Sequence, residues 1–207
     1  MSEQLQSDFD KLVKTSKFSN EEIQFKKNFL NNFIKKGFPN RKQEDWKFLD
    51  ISQIIKKNIS DLSYFNDYSQ SNKIDPSIFV DGLEHNKIIF INGRIEKIDF
   101  NFEDQNKIEI INETKNDISF EYENSLIDLN SAFTDKVFKI LIKKNYFLKK
   151  PLIIYHSIND EIKSTNINLR LDFELGENSC LKLIDYFSNN TVKNFINIFY
   201  NFNLEKD

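Results

Sequence analysis

Three carboxylates and two cations in the second half of the chain fall at spacings that could do chemistry. Asp172 and Glu174 alternate with Arg170 along one stretch, and Asp185 follows with Lys182 close by. Aligned on the outer face of a sheet, paired carboxylates can act as acid and base in glycosidic cleavage, or hold a calcium ion. Strand alternation also sends every second residue outward, so a plain solvated face is the preferred reading of the same residues. His156, inside an apolar run over 152–158, could be a ligand or an acid, but a hydrogen-bonded structural histidine is the commoner case. Cys180 could be a nucleophile if its thiolate were stabilised, against the commoner buried and inert thiol. His85 sits beside a loop, and neither histidine is placed to form a helical metal pair with the other. No catalytic or metal role is therefore assigned to His85, His156 or Cys180, and no cofactor-binding residue is named.

Several function classes drop out on composition. With four glycines in 207 residues, neither a phosphate-cradling loop nor a dinucleotide fingerprint can be built. The lone Cys180 excludes an intramolecular disulfide and an internal cysteine-rich metal site, and a reducing compartment is the natural inference. Net charge is −3 with no basic block, so no nucleic-acid partner is expected. The 21 phenylalanines, interleaved with lysine, could be stacking platforms for single strands, but their spacing on apolar faces favours core packing. The first residues lack the pattern of a signal peptide and no apolar run approaches about 18 residues, so a cytoplasmic protein without a membrane span is expected.

The elements that would position these groups divide the chain into three. Residues 1–65 read as a helical domain. Leu5, Phe9, Leu12 and Val13 share one helix face, then Ser19 and Glu22 make a capping-box pattern ahead of Ile23, Leu30, Phe33 and Ile34. Lys35-Lys36-Gly37 with Pro39 marks the end of that helix, and a short third helix follows Asp50. Residues 66–85 are polar, contain Pro76, and read as a linker. From residue 86 the period changes to two. Ile88 to Ile91, Asn92-Gly93 and Arg94 to Ile98 make a hairpin signal, with weaker strands expected at 107–111 and 118–122 and a short helix or turn at 125–133. Alternating segments then begin near Val137, Leu152, Asn166, Cys180 and Phe195, with Asn, Asp and Ser at the corners and few Gly or Pro turns. That near-regular spacing predicts stacked rungs: a mainly β protein built as a parallel β-helix behind an N-terminal α domain, rather than a sandwich. The segment 195–204 is apolar on one side and almost ends the chain, so the solenoid is expected to be incomplete and to self-associate through that edge.

One segment stands apart. Gly37-Phe38-Pro39-Asn40-Arg41-Lys42-Gln43-Glu44-Asp45-Trp46-Lys47-Phe48 gathers the only Trp, backbone punctuators and a dense charge cluster. Trp46 is expected to anchor this piece, with Arg41 and Lys47 available to Glu44 and Asp45. With Gly37, Pro39, Arg41, Lys42, Glu44, Trp46, Lys47 and Phe48 in this order, the sequence resembles the SufD family of iron–sulfur cluster assembly proteins. Phe90 to Arg94, Asp128 to Phe133 and Lys150 to His156 fall in that family's order, and Leu175 to Ser179 looks like its repeated corner. The resemblance implies a right-handed parallel β-helix between helical domains, of which this chain would be the N-terminal portion. It implies a non-catalytic scaffold subunit paired with a SufB-like subunit and a SufC-like ATPase, with an iron–sulfur cluster and reduced flavin belonging to the complex. A carbohydrate-active β-helix using Asp172, Glu174 and Asp185, and a free-standing binding module, are the alternatives.

Overall fold

The computed structural model describes residues 2–59, 61–65, 74, 76–114, 124–159, 162–188 and 193–205. Its first unit is helical. α1 (Ser2–Thr15) buries Leu5, Phe9 and Leu12, which return to one face every three or four residues. α2 (Asn20–Lys36) starts at the expected capping box, in which Glu22 N–H donates to Ser19 Oγ (3.2 Å) and Ser19 N–H donates to Glu22 Oε2 (2.7 Å). It stops where Gly37 N–H reaches Phe33 O at 2.7 Å. α3 (Ile51–Asn58) is capped by Asp50, whose carboxylate accepts from Gln53 N–H at 2.9 Å. α4 (Ser125–Phe133) lies far along the chain, yet Leu129, Ala132 and Phe133 join α1, α2 and α3 in one core with Phe38 and Tyr64.

The β1 (Asn86–Ile91) and β2 (Arg94–Asp99) hairpin turns through Asn92 and Gly93 at φ 54° and 80°, the left-handed pair that a type I′ turn requires. A Cβ on Gly93 would also meet Ile167 Cγ2 at 2.7 Å, so only glycine fits where the turn crosses the next sheet. The remaining strands are β3 (Ile108–Glu113), β4 (Val137–Ile142), β5 (Leu152–Ser157), β6 (Asn166–Leu175), β7 (Leu183–Phe187) and β8 (Phe195–Leu204). They form two four-stranded sheets, ordered β2-β1-β5-β7 and β3-β4-β6-β8. From β4 onward the chain crosses between the sheets at every step. Ile88, Phe90, Leu152 and Ile154 of the first sheet meet Phe138, Ile140, Leu169, Leu171 and Phe173 of the second in a shared core. Each such side chain, fully buried, contributes about 1.5–3 kcal/mol.

The expected right-handed parallel β-helix, and with it the mainly β class, is corrected here. β1 pairs β2 and β3 pairs β4 antiparallel, while β1-β5-β7 and β4-β6-β8 run parallel, so both sheets are mixed. Among the described residues there are also four α-helices, and α4 sits between β3 and β4 rather than in an N-terminal domain. Alternation reports which side of a strand is buried but not the direction of its neighbour, so it could not distinguish stacked rungs from mixed sheets. Four of the five expected segments start at the residue expected. The fourth starts at Leu183 rather than Cys180, because Cys180 lies in a corner loop, bridged singly to Phe147.

The segment expected as a linker is described at residues 74 and 76–85. Ile74, Ile78, Phe79 and Val80 pack on Ile89, Ile91, Ile153 and Tyr155, so this part covers the outer face of the first sheet. The expected strand at 118–122, much of 66–78 and the corner residues Asp160, Asn189 and Asn190 lie outside the described residues.

Candidate functional site

The carboxylates singled out in the sequence do not converge. Asp172 is on β6, on the side of the second sheet away from the shared core, and is 6% exposed. Its two oxygens accept from Arg170 Nε and Nη2, both at 2.8 Å, and the Arg170 guanidinium lies 5.4 Å from the Phe199 ring centroid. A bidentate pair this deep is locked in its own geometry, leaving no acid or base for a substrate. Glu174 is two residues further on, near Lys139, whose ammonium pairs with Glu113 at 2.9 Å and is held above its ordinary pKa chiefly by that bond. Asp185 is on β7, in the other sheet.

Asp185 instead meets His156. His156 Nε2 donates to Asp185 Oδ1 at 2.7 Å and lies 3.3 Å from the Tyr200 hydroxyl. Parallel pairing sets Asp185 opposite Ile154 and Tyr200 opposite Leu171, so all three polar groups point into the space between the sheets. The imidazole is stacked between Phe90 (5.5 Å, 10°) and Phe187 (4.7 Å, 18°). Burial first, and then the Asp185 carboxylate, push the Tyr200 phenol far above its ordinary pKa, so it remains a donor. Both ring faces are covered and the carboxylate is shared by two donors, so the trio closes one end of the core rather than presenting a base. The strand-to-strand spacing of His156 and Asp185 was in the sequence, but Tyr200 arrives from the opposite sheet, which no local pattern shows.

His85 is also held. Its Nδ1–H donates to Leu83 O at 2.6 Å, leaving Nε2 to accept from the Tyr155 hydroxyl at 2.7 Å, which in turn accepts from Val80 N–H at 3.1 Å. Cys180 is half-buried with its backbone joined to Tyr146 and Leu148. Among the described residues no three His, Cys, Asp or Glu lie together as a metal-ligand group.

Polar residues concentrate where the helices meet the second sheet. Lys26 of α2 is buried and donates to the carbonyls of Ser131 and Thr134 at the C-terminal end of α4, where unpaired carbonyls and the negative end of the helix dipole lie. Burial drives its pKa down to about 8, against the pull of Asp135 and Glu22. Lys36, at the other end of α2, pairs with Asp128 in the first turn of α4 at 2.9 Å, so the two helices run antiparallel. Asn130 donates to Leu169 O (3.0 Å) and Asn197 O (2.8 Å) and accepts from Thr134 Oγ1 (2.9 Å). Asn197 answers by donating to Leu126 O at 2.8 Å. The segment 128–133 is therefore a docking element with every side chain buried.

Among the described residues two open surfaces stand out. β7 and β8 each form one edge of their sheet, β2 and β3 forming the other edges, and at the β7–β8 end Phe187 (49%), Phe202 (50%) and Leu204 (64%) are exposed. The second is the Trp46 segment. Trp46 is only half-buried in a 3-10 turn at Glu44–Trp46, Lys47 pairs with Glu44 at 3.2 Å, and Phe48 is 86% exposed. Phe38, not Trp46, is this segment's anchor, edge-on to Phe33 (5.1 Å) and Phe195 (5.7 Å). Among the described residues no helix is long and apolar enough to cross a membrane. Compared with known proteins, the chain matches no family model and no curated sequence.

Proposed function

We propose that this chain is a non-catalytic, cytoplasmic scaffold subunit of iron–sulfur cluster assembly, of the SufD kind, acting with a SufB-like subunit and a SufC-like ATPase. The observation that carries the reading is the pair of edge strands β7 and β8, beyond which no strand among the described residues pairs, with half-exposed aromatic side chains. A protein that works by holding partners needs such a surface, whereas an isolated monomer is disfavoured by it. The motif positions that prompted the resemblance support it, since 128–133 and 150–156 are structural joints with buried side chains rather than reactive sites. The β-helix implied by the resemblance is not carried over. The cluster and the reduced flavin belong to the complex as cargo and partner-bound cofactor, because Cys180 alone offers no ligand set for a resident cluster.

Affinity purification of the tagged chain from its own cells tests this. SufB-like and SufC-like subunits should be recovered, and Leu204→Glu, on the exposed edge, should reduce that recovery at unchanged thermal stability. Recovery as a lone monomer would return the binding-module alternative to the front. The carbohydrate-active alternative has lost its site, because Asp172 and Glu174 lie on the far side of one sheet and Asp185 faces inward from the other.

A further inference from the structure

The Trp46 segment and α3 together form an open groove of about 640 Å³. Its apolar floor is Phe48, Leu49 and Ile54, exposed by 86%, 41% and 43%, an unusual concentration of apolar surface for a single turn and a short helix. Its rim carries Arg41, Lys56 and Lys57, all exposed. Of the nearby carboxylates, Asp50 caps α3 and Glu44 pairs with Lys47, while Asp45 is exposed. Lys47 covers the Phe48 ring at 5.3 Å from its centroid. In a chain of net charge −3, this groove is a local basic and apolar surface.

We propose that this groove binds an acidic segment of another protein, which seats an apolar side chain against Phe48 and Ile54 and sets its carboxylates on Arg41, Lys56 and Lys57. Charge complementarity selects the sign of the partner, and the aliphatic floor selects its side chains. A single-stranded nucleic acid fits less well. It would find one aromatic platform, Phe48, in this groove, where successive bases need several.

The test is calorimetric titration of the full chain with a short capped peptide alternating glutamate and leucine. The comparison probes are the same peptide with lysine for glutamate, oligothymidylate, and vesicles of phosphatidylcholine with phosphatidylserine. Trp46, the only tryptophan and two residues from Phe48, reports the same event by fluorescence. Saturable binding of the acidic peptide is expected, weakened by added salt, and reduced about tenfold by Phe48→Ala and by at least as much in Lys56→Glu/Lys57→Glu. All three side chains are exposed, so melting temperature and circular dichroism should match the parent chain. The proposal is overturned by no saturation at millimolar peptide, by equal binding of the lysine peptide, or by variants that bind like the parent. It is also overturned if oligothymidylate or vesicles bind through Phe48 and the peptide does not. The titration uses this chain alone and co-purification tests the complex, so either idea can fail without the other.

Discussion

The two sheets share one plan, an antiparallel pair extended by two parallel strands, but their outer faces are covered by opposite chemistry. On the first sheet Ile89, Ile91, Ile153 and Tyr155 lie under Ile74, Ile78, Phe79 and Val80, an almost wholly apolar contact. On the second the contacts are directed hydrogen bonds: Asn130 and Asn197 join α4 to β6 and β8, Lys26 joins α2 to the end of α4, and Arg170 pairs with Asp172 along β6. An apolar cover tolerates small shifts of its neighbour, since dispersion and burial are not directional. A polar layer fixes register, because a misplaced partner leaves a buried group unsatisfied at about 1–3 kcal/mol. A helix brought in from a distant part of the chain, such as α4, is thereby held in one position.

The largest expected effect tests the polar side of this contrast. Asp172→Ala removes the two carboxylate oxygens to which Arg170 Nε and Nη2 donate and should lower stability by about 3–5 kcal/mol in denaturant titration. Arg170→Met/Asp172→Leu, which gives the second sheet an apolar cover like the first, should recover most of that loss. If the single substitution costs under about 1 kcal/mol, the ion pair does not hold this face. On the apolar side, Ile153→Ala should cost about 2–5 kcal/mol, with no apolar double replacement needed to explain it. A value near zero would mean that 74–80 does not stay on the sheet.

Lys26 offers a pH test confined to the polar layer. Its folded pKa, about 8, lies below its ordinary 10.5, so between those values the unfolded chain holds more protons and stability rises with pH. The gain, roughly 3 kcal/mol at the most, should be traced by unfolding midpoints between pH 7 and 10 and should vanish in Lys26→Met. Tyr64, raised to about 12 chiefly by burial, works the other way above its ordinary 10.0, which is why the series stops at pH 10. An equal slope in the Lys26→Met chain would remove Lys26 as the cause. The smallest effect is expected for Tyr155→Phe, which leaves His85 Nε2 and Val80 N–H without the hydroxyl and should cost about 1 kcal/mol by thermal melting. A neutral result would show that the apolar cover is insensitive to its Tyr155–Val80 hydrogen bond.

Much of this molecule was legible residue by residue. The Ser19 capping box, the Gly37 stop and the Asn92-Gly93 turn act through neighbours a few positions away, so their sequence signals and their geometry coincide. Alternation likewise located the core-facing sides of β4, β6 and β8, because the side-chain period of a strand is a property of the backbone alone, whereas β5 is buried on both faces and does not alternate. Strand direction and strand neighbours were not available from it, and a regular spacing suggested a β-helix where the chain makes two mixed sheets. The candidate site shows the same division. Asp185, expected beside Asp172 and Glu174 on an outer face, instead meets His156 between the sheets, Tyr200 crosses from the second sheet and Phe187 closes the ring from the first. Asp172 looked like a surface carboxylate and is instead buried against Arg170 under the helical unit, because alternation reports a face and cannot report what covers it. Local chemistry, acting through covalent neighbours, determined the elements. Pairing direction, the cover on each sheet and the partners of each buried charge depend on contacts between distant residues, and only the tertiary structure decided those.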